Sequence, residues 1–259
     1  MNPGDHYHIV FATSGYHGLD FNTSVPPPAY PNFAGIAAAD WIVTHDAYLA
    51  GYIPTWNNVD QVWKAILSSA FLPIQARTHI NVQGPVYNTR GELVATGTAD
   101  FWDGTIAHAI KYDEKGGEIL SGFVWTGTDA NGGPTGLNAG FNWENSNGYT
   151  ATVGSPVLTN SGWIDSFDIL SAGASNRLYG MSPLLTVPQP GDFNGDGKAN
   201  AADYAVWRHS NGSVADYNLW RAHFGQSLPG SGSSIESAAV PEPSSLALLL
   251  VCVVILLLV

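Results

Sequence analysis

The chain has 259 residues, 45% of them hydrophobic but only 12% charged, and a formal net charge of −12. That length suits one sizeable domain with small attachments, and the negative charge excludes electrostatic binding to nucleic acid or anionic lipid headgroups, leaving cations as the favoured small partners. The single cysteine, Cys252, stands inside an apolar run, which excludes a disulfide, a thiolate metal cluster and a cysteine nucleophile.

In chain order, "HYHIVFAT" (6–13) has the β-branched and aromatic content of a strand, broken by "GYHG". His6 and His8 would share one face of it, at what reads as an exposed end. After the Pro-rich "SVPPPAYPNF", residues 34–52 read as a helix from the spacing of Ile36, Trp41, Val43 and Leu49, with Gly51 as its stop. Residues 58–70 repeat the pattern with Val59, Val62, Trp63, Ile66 and Leu67, capped by Asn58.

From Asn81 the texture changes to short β-like pieces, and "DEKGGE" has the composition of a hairpin turn. Helices first and irregular strands later predict an α+β domain over residues 5–187. Residues 202–212 and 215–225 then share A-D-Y-x-x-W-R, an internal repeat that reads as two short helices. Residues 229–239 form a Gly/Ser linker, and residues 246–259 are wholly apolar.

The clearest chemistry lies in "DFNGDGKANAAD". Counted from Asp192, oxygen donors fall at loop positions 1 (Asp192), 3 (Asn194), 5 (Asp196), 9 (Asn200) and 12 (Asp203), with Gly197 at the sharp turn and the Lys198 carbonyl at 7. This is the calcium-loop pattern of an EF-hand, in which hard oxygens wrap Ca²⁺. Asp203 stands where an EF-hand usually carries Glu. A loop that ends in Asp and runs straight into a helix resembles the dockerin domain over residues 191–225. The preceding "HSNGSV" of the second half lacks acidic ligands, so one Ca²⁺ is expected in a module of residues 188–228. The resemblance implies a cohesin partner, but Ala201 and Ala202 occupy the positions where dockerins carry recognition hydroxyls, which favours a calcium-stiffened spacer.

Fourteen apolar residues at the end would span about 21 Å as a helix, short of a hydrocarbon core of about 30 Å. The tail "VPEPSSLALLLVCVVILLLV" (240–259) resembles the PEP-CTERM sorting signal through Pro241, Glu242 and Pro243. That resemblance implies export, a C-terminal transmembrane helix and processing by an exosortase-type enzyme. The family usually ends in Arg or Lys, whereas this chain ends on Val259. No basic and apolar leader precedes His6, so the expectation is a true start upstream of Met1 and a location at the cell envelope or outside the cell.

In the large domain, "GIAAADWIVTHDAYLAG", "WNNVDQVWKAILSS", "GPVYNTRGELVATGTADFWDG", "VWTGTDANGG", "NWENSNG" and "NRLYG" together resemble the endostatin-like branch of the C-type lectin fold, shared by a bacterial surface-lipoprotein family of unknown function. The resemblance implies cysteines where this chain has Val43, Gly180 and Gly140, so a core of Trp41, Trp63, Trp125, Trp143 and Trp163 is expected in their place. The resemblance also implies zinc bound by N-terminal histidines, here His6 and His8 with His17 as a third ligand, against the plainer reading of an exposed end. The calcium-dependent sugar-binding triplets of true C-type lectins do not occur.

No metalloprotease, nucleophile-elbow or phosphate-loop motif is present. The carboxylate pairs Asp100 with Asp103 and Asp165 with Asp168 could in principle serve a glycosidase, and His45 with Asp46 reads as surface or capping groups. The expectation is a non-catalytic exported protein that recognises glycan or protein. A hydrolase of extracellular polysaccharide and a structural coat component are the alternatives.

Overall fold

A computed structural model describes residues 1–18, 35–54, 62–69, 74–135, 150–170 and 174–228, with the side chains of 168–170 excepted. The chain divides into two compact units, Met1–Val187 and Pro188–Val259.

The described residues of the first unit are mixed α/β. Its strands are β1 (His6–Ala12), β2 (His17–Gly18), β3 (Lys64–Ala65), β4 (Val86–Asn88), β5 (Leu93–Ala95), β6 (Val124–Trp125), β7 (Thr150–Gly154), β8 (Phe167–Leu170), β9 (Ser175–Met181) and β10 (Leu185–Thr186). Its α-helices are α1 (Ile36–Leu49), α2 (Ala76–Ile80) and α3 (Thr98–Phe101). The sheet runs β5-β4-β1-β9-β6-β7-β8, with β10 on β1 and both β2 and β3 on β9. The pairs β1–β4 and β6–β9 are parallel.

Both faces of this sheet are covered. Period-two alternation on β1 sends Val10 and Ala12 into one apolar cluster, with Trp102, Trp163 and Tyr179. Phe11 enters the other, with Trp41, Val43, Trp63, Trp125 and Leu178. Trp41, Trp63, Trp125 and Trp163 are thus core residues, joined by Trp102, which sequence reading passed over; Trp143 lies outside the described residues.

Helix α1 is buried on nearly every side and ends as expected at Gly51. The Gly51 N–H donates to the Tyr48 carbonyl at 2.9 Å and the Tyr52 N–H to the Ala47 carbonyl at 3.0 Å. This crossed pair requires a left-handed residue, and Gly51 supplies it with φ of 86°.

The helix expected over residues 58–70 is corrected in its described part. Lys64–Ala65 is a strand, and Ser69 bridges Ile74; residues 58–61 and 70 lie outside the described residues. Side chains of α1 claim this backbone first. Thr44 exchanges two 3.1 Å hydrogen bonds with Trp63, and the Asp40 carboxylate accepts the Ala65 N–H at 2.8 Å. With Trp63, Ala65, Ile66 and Leu67 all buried, no polar helix face remains.

The "DEKGGE" turn forms as read, and "DANGG" repeats it. In each, the first Asp carboxylate accepts two backbone N–H groups, from Lys115 and Gly117 and from Asn131 and Gly133.

In the second unit the repeat becomes α4 (Ala201–His209) and α5 (Val214–His223). Each opens on a reciprocal capping box, Asn200 with Asp203 and Ser213 with Asp216. Tyr204, Trp207, Tyr217 and Trp220, equivalent in pairs under the repeat, interlock with ring centroids 5.1 to 6.3 Å apart. This small unit therefore packs on aromatic rings.

Candidate functional site

The loop that precedes α4 is organised by its own carboxylates. Asp192 Oδ1 accepts the N–H of Gly195 at 2.7 Å and of Asp196 at 3.2 Å, and its Oδ2 accepts Gly197 N–H at 2.7 Å. Asn194 Oδ1 accepts Asp196 N–H at 2.9 Å, and Asp196 Oδ1 accepts Lys198 N–H at 2.9 Å. Asp203 is fully buried; its Oδ1 accepts from Phe193 and Asn194 at 2.8 and 3.0 Å, and its Oδ2 from Asn200 at 2.7 Å. The loop closes on itself because its first and last acidic residues both gather backbone donors.

The far side of the loop is tied to the end of the unit. The Ala199 N–H donates to the Gln226 carbonyl at 2.9 Å, Gly225 N–H to the Ala199 carbonyl at 2.7 Å, and Leu228 N–H to the Gly197 carbonyl at 2.8 Å. Trp220 Nε1 donates to the Asn200 carbonyl at 2.7 Å.

The donor set of Asp192, Asn194, Asp196, Lys198, Asn200 and Asp203 is all oxygen, which fits Ca²⁺ and no softer metal. The three carboxylates are not drawn together. Among the described residues, no three His, Cys, Asp or Glu side chains form a metal-holding group.

The other sequence candidates fall apart as sites. His8 is buried with both ring nitrogens engaged: Nε2 takes the Gln83 N–H at 3.2 Å, so Nδ1 carries the proton and donates to the Ser182 carbonyl at 2.9 Å. His6 is exposed and meets Thr186 Oγ1 at 3.0 Å. His17 lies opposite Asn176 on β9, and burial lowers its pKa to about 4. Among the described residues these three histidines form no metal-holding group, and the strand ladder sets each against a different neighbour.

Asp100 takes the Thr96 N–H and hydroxyl at 2.6 and 2.8 Å, and Asp103 takes the Thr105 N–H and hydroxyl, both at 2.9 Å. Each carboxylate closes its own turn. Asp165 follows a 3₁₀ turn at Ser161–Trp163, and Asp168 pairs with Thr152 in β7; the Asp168 side chain lies outside the described residues. His45 stacks on Trp41, with rings 5.1 Å apart and 5° from parallel, and burial lowers its pKa.

Two buried carboxylates were missed from sequence. Asp40, 2% exposed, accepts from Ala65 N–H, from Lys64 Nζ at 3.0 Å and from His79 Nε2 at 2.9 Å, tying α1 to β3 and α2. Glu114 is buried, with its oxygens held by the Ser14 N–H at 2.9 Å and hydroxyl at 2.5 Å. Burial first, and then the Glu114 charge, raise the Asp46 pKa to about 7. An Asp inside a helical pattern carries no local sign of a carboxylate brought to it from a distant turn.

No family model matches this chain, and no curated protein matches it. No helix of the described residues is long and apolar enough to cross a membrane. The linker 229–239 and the sorting-signal stretch with Pro241, Glu242 and Pro243 lie outside the described residues.

Proposed function

We propose that this is an exported, non-catalytic recognition protein of the cell envelope or extracellular matrix: an endostatin/C-type-lectin-like domain joined to a one-calcium, dockerin-like spacer and sorted through its C-terminal signal. The observation that carries the reading is the loop of residues 192–203, whose six oxygen donors stand at calcium-loop spacing and whose Asp192 and Asp203 already gather the loop backbone. In that loop Ca²⁺ would supply positive charge that draws Asp192, Asn194, Asp196, the Lys198 carbonyl, Asn200 and Asp203 inward. The chain's own part is to supply those oxygens at calcium-loop spacing, and their convergence on one point would come with the metal.

Recognition is favoured over hydrolysis because the carboxylates of the candidate pair Asp100 and Asp103 are engaged in structure, as is that of Glu114. Asp100 and Asp103 close turns, and Glu114 is buried under Ser14. A glycosidase needs two carboxyl groups converging on one bond. The partners of this reading are an exosortase-type processing enzyme and a glycan or envelope protein; a cohesin-like partner is disfavoured because Ala201 and Ala202 lack hydroxyls.

The test is retention of the purified chain, with Ca²⁺ present, on extracellular polysaccharides and envelope extract, followed by long incubation of the bound material. Retention without cleavage supports recognition. Cleavage would establish the hydrolase alternative, and complete inertness with self-association would establish a coat component.

A further inference from the structure

Alternation along β1 places Tyr7 and Ile9 on the same sheet face as Phe11, and the parallel register of β4 sets Tyr87 opposite Ile9. The Tyr7 and Tyr87 rings meet edge to face, 6.4 Å apart at 74°. The crossed hydrogen bonds at the end of α1 turn Tyr52 toward the same place, and its ring is backed by Trp63 at 5.4 Å. The result is a cleft of about 450 Å³ lined by Tyr7, Ile9, Tyr52, Tyr87, Asn88 and Thr89, a size usual for small-ligand sites (about 300–1,000 Å³).

The polar groups of the wall are already engaged. Asn88 Oδ1 accepts the N–H of Arg90 and Glu92, its Nδ2 donates to Glu92 at 2.8 Å, and the Thr89 hydroxyl donates to the Asp113 carbonyl at 2.9 Å. The three tyrosine hydroxyls, in contrast, make no hydrogen bond among the described residues. The cleft therefore offers ring faces and free phenolic hydroxyls on a fixed frame.

Its occupant follows from charge and backbone. Burial first, and then the charges of Glu114 and Asp113, raise the Tyr52 pKa, and the chain carries a net charge of −12, so uronates, sulfates and phosphates are disfavoured here. On the floor, β1 is already paired with β4 and with β9 and β10, so β1 itself offers no open edge to which a peptide strand could add. A sugar without charge suits what is left, with C–H faces for the rings and hydroxyls for the phenols. We propose that this cleft is a binding subsite for neutral carbohydrate, with Tyr52 and Tyr87 as stacking surfaces and Tyr7 as a hydrogen-bonding rim. This rests on the recognition reading above and assigns that reading a place and a charge class.

The experiment is titration of the whole chain in detergent, with Ca²⁺ present, against cello-, manno-, xylo- and chito-hexaose and against polygalacturonate. At least one neutral oligosaccharide should bind and polygalacturonate should not. Tyr52→Ala and Tyr87→Ala should each weaken binding by about tenfold or more. Tyr52→Phe and Tyr87→Phe keep the rings and should lose less, which separates stacking from hydroxyl contacts and covers a failure of either Ala variant to fold. Equal binding by wild type and all four variants would overturn the cleft while leaving recognition standing. A chain that retains envelope material but no neutral oligosaccharide would overturn the charge class, and a chain that retains nothing would remove the recognition reading as well.

Discussion

Val43 on α1 and Gly180 on β9 face each other across the core: a Cβ added to Gly180 would lie 2.9 Å from the Val43 Cβ and 2.9 Å from the Phe11 ring. These are two of the positions where the endostatin-like resemblance implies cysteines, and here a branched side chain on one fills the space left by the missing side chain on the other. Gly180→Ala should therefore cost about 1–3 kcal/mol through overpacking. Val43→Gly, which removes that Cβ, should recover part of the overpacking in the double variant beyond its own cost in the helix, a coupling readable in a double-mutant cycle of denaturant unfolding. Strictly additive losses would mean that the two positions do not share one space.

Acid and base act on the large unit in opposite directions. The Asp46 pKa is raised from 3.8 to about 7, so the unfolded carboxyl ionises first and stability falls as pH rises from about 4 to about 7. The His17 pKa is lowered from 6.5 to about 4, so between those values the unfolded imidazole binds the extra proton and stability rises with pH. The two slopes offset each other up to pH 6.5, above which the Asp46 loss continues alone. Asp46→Asn should raise stability at pH 7.5 by on the order of 2–4 kcal/mol and steepen the rise between pH 4 and 6.5. Urea midpoints taken across this range check it, and a pH profile unchanged in Asp46→Asn would refute the assignment.

Asp40 is a structural anchor. Its removal leaves the buried Ala65 N–H without an acceptor and separates His79 and Lys64 from their common carboxylate. Asp40→Ala should cost about 3 kcal/mol, against well under 1 kcal/mol for truncation of a surface pair such as Lys111 with Glu118. Comparable losses at the two sites, measured by chemical unfolding, would contradict this.

Calcium should bind the loop once. Calorimetric titration of the whole chain is expected to show one site, abolished in Asp192→Ala. Asp203→Ala should also loosen the second unit before any metal is added, because three backbone N–H groups lose their acceptor. Chelator should leave wild type more protease-sensitive near Gly225 and Leu228, which bond to the loop backbone. A titration without heat or protection would dismiss the loop assignment.

What the sequence determined by itself is what a short run of residues can encode. The helix stop at Gly51, the turn at Asp113 and the oxygen spacing from Asp192 to Asp203 each depend on backbone conformation and hydrogen bonds among residues a few positions apart. The paired aromatic residues of α4 and α5 were legible for the same reason, since a repeat places equivalent rings on equivalent helices. Residues 62–69 were misread because Val62, Trp63, Ile66 and Leu67 carry a helical spacing, while their backbone partners, Asp40 and Thr44 on α1 and Gly180 on β9, lie far away in the chain. The closing of Glu114 on Ser14, the engagement of both His8 nitrogens and the convergence of Tyr7, Tyr52 and Tyr87 were likewise settled only by tertiary structure. Each brings together side chains from separate elements, and the direction in which they meet is set by sheet register and helix position, which no local pattern records.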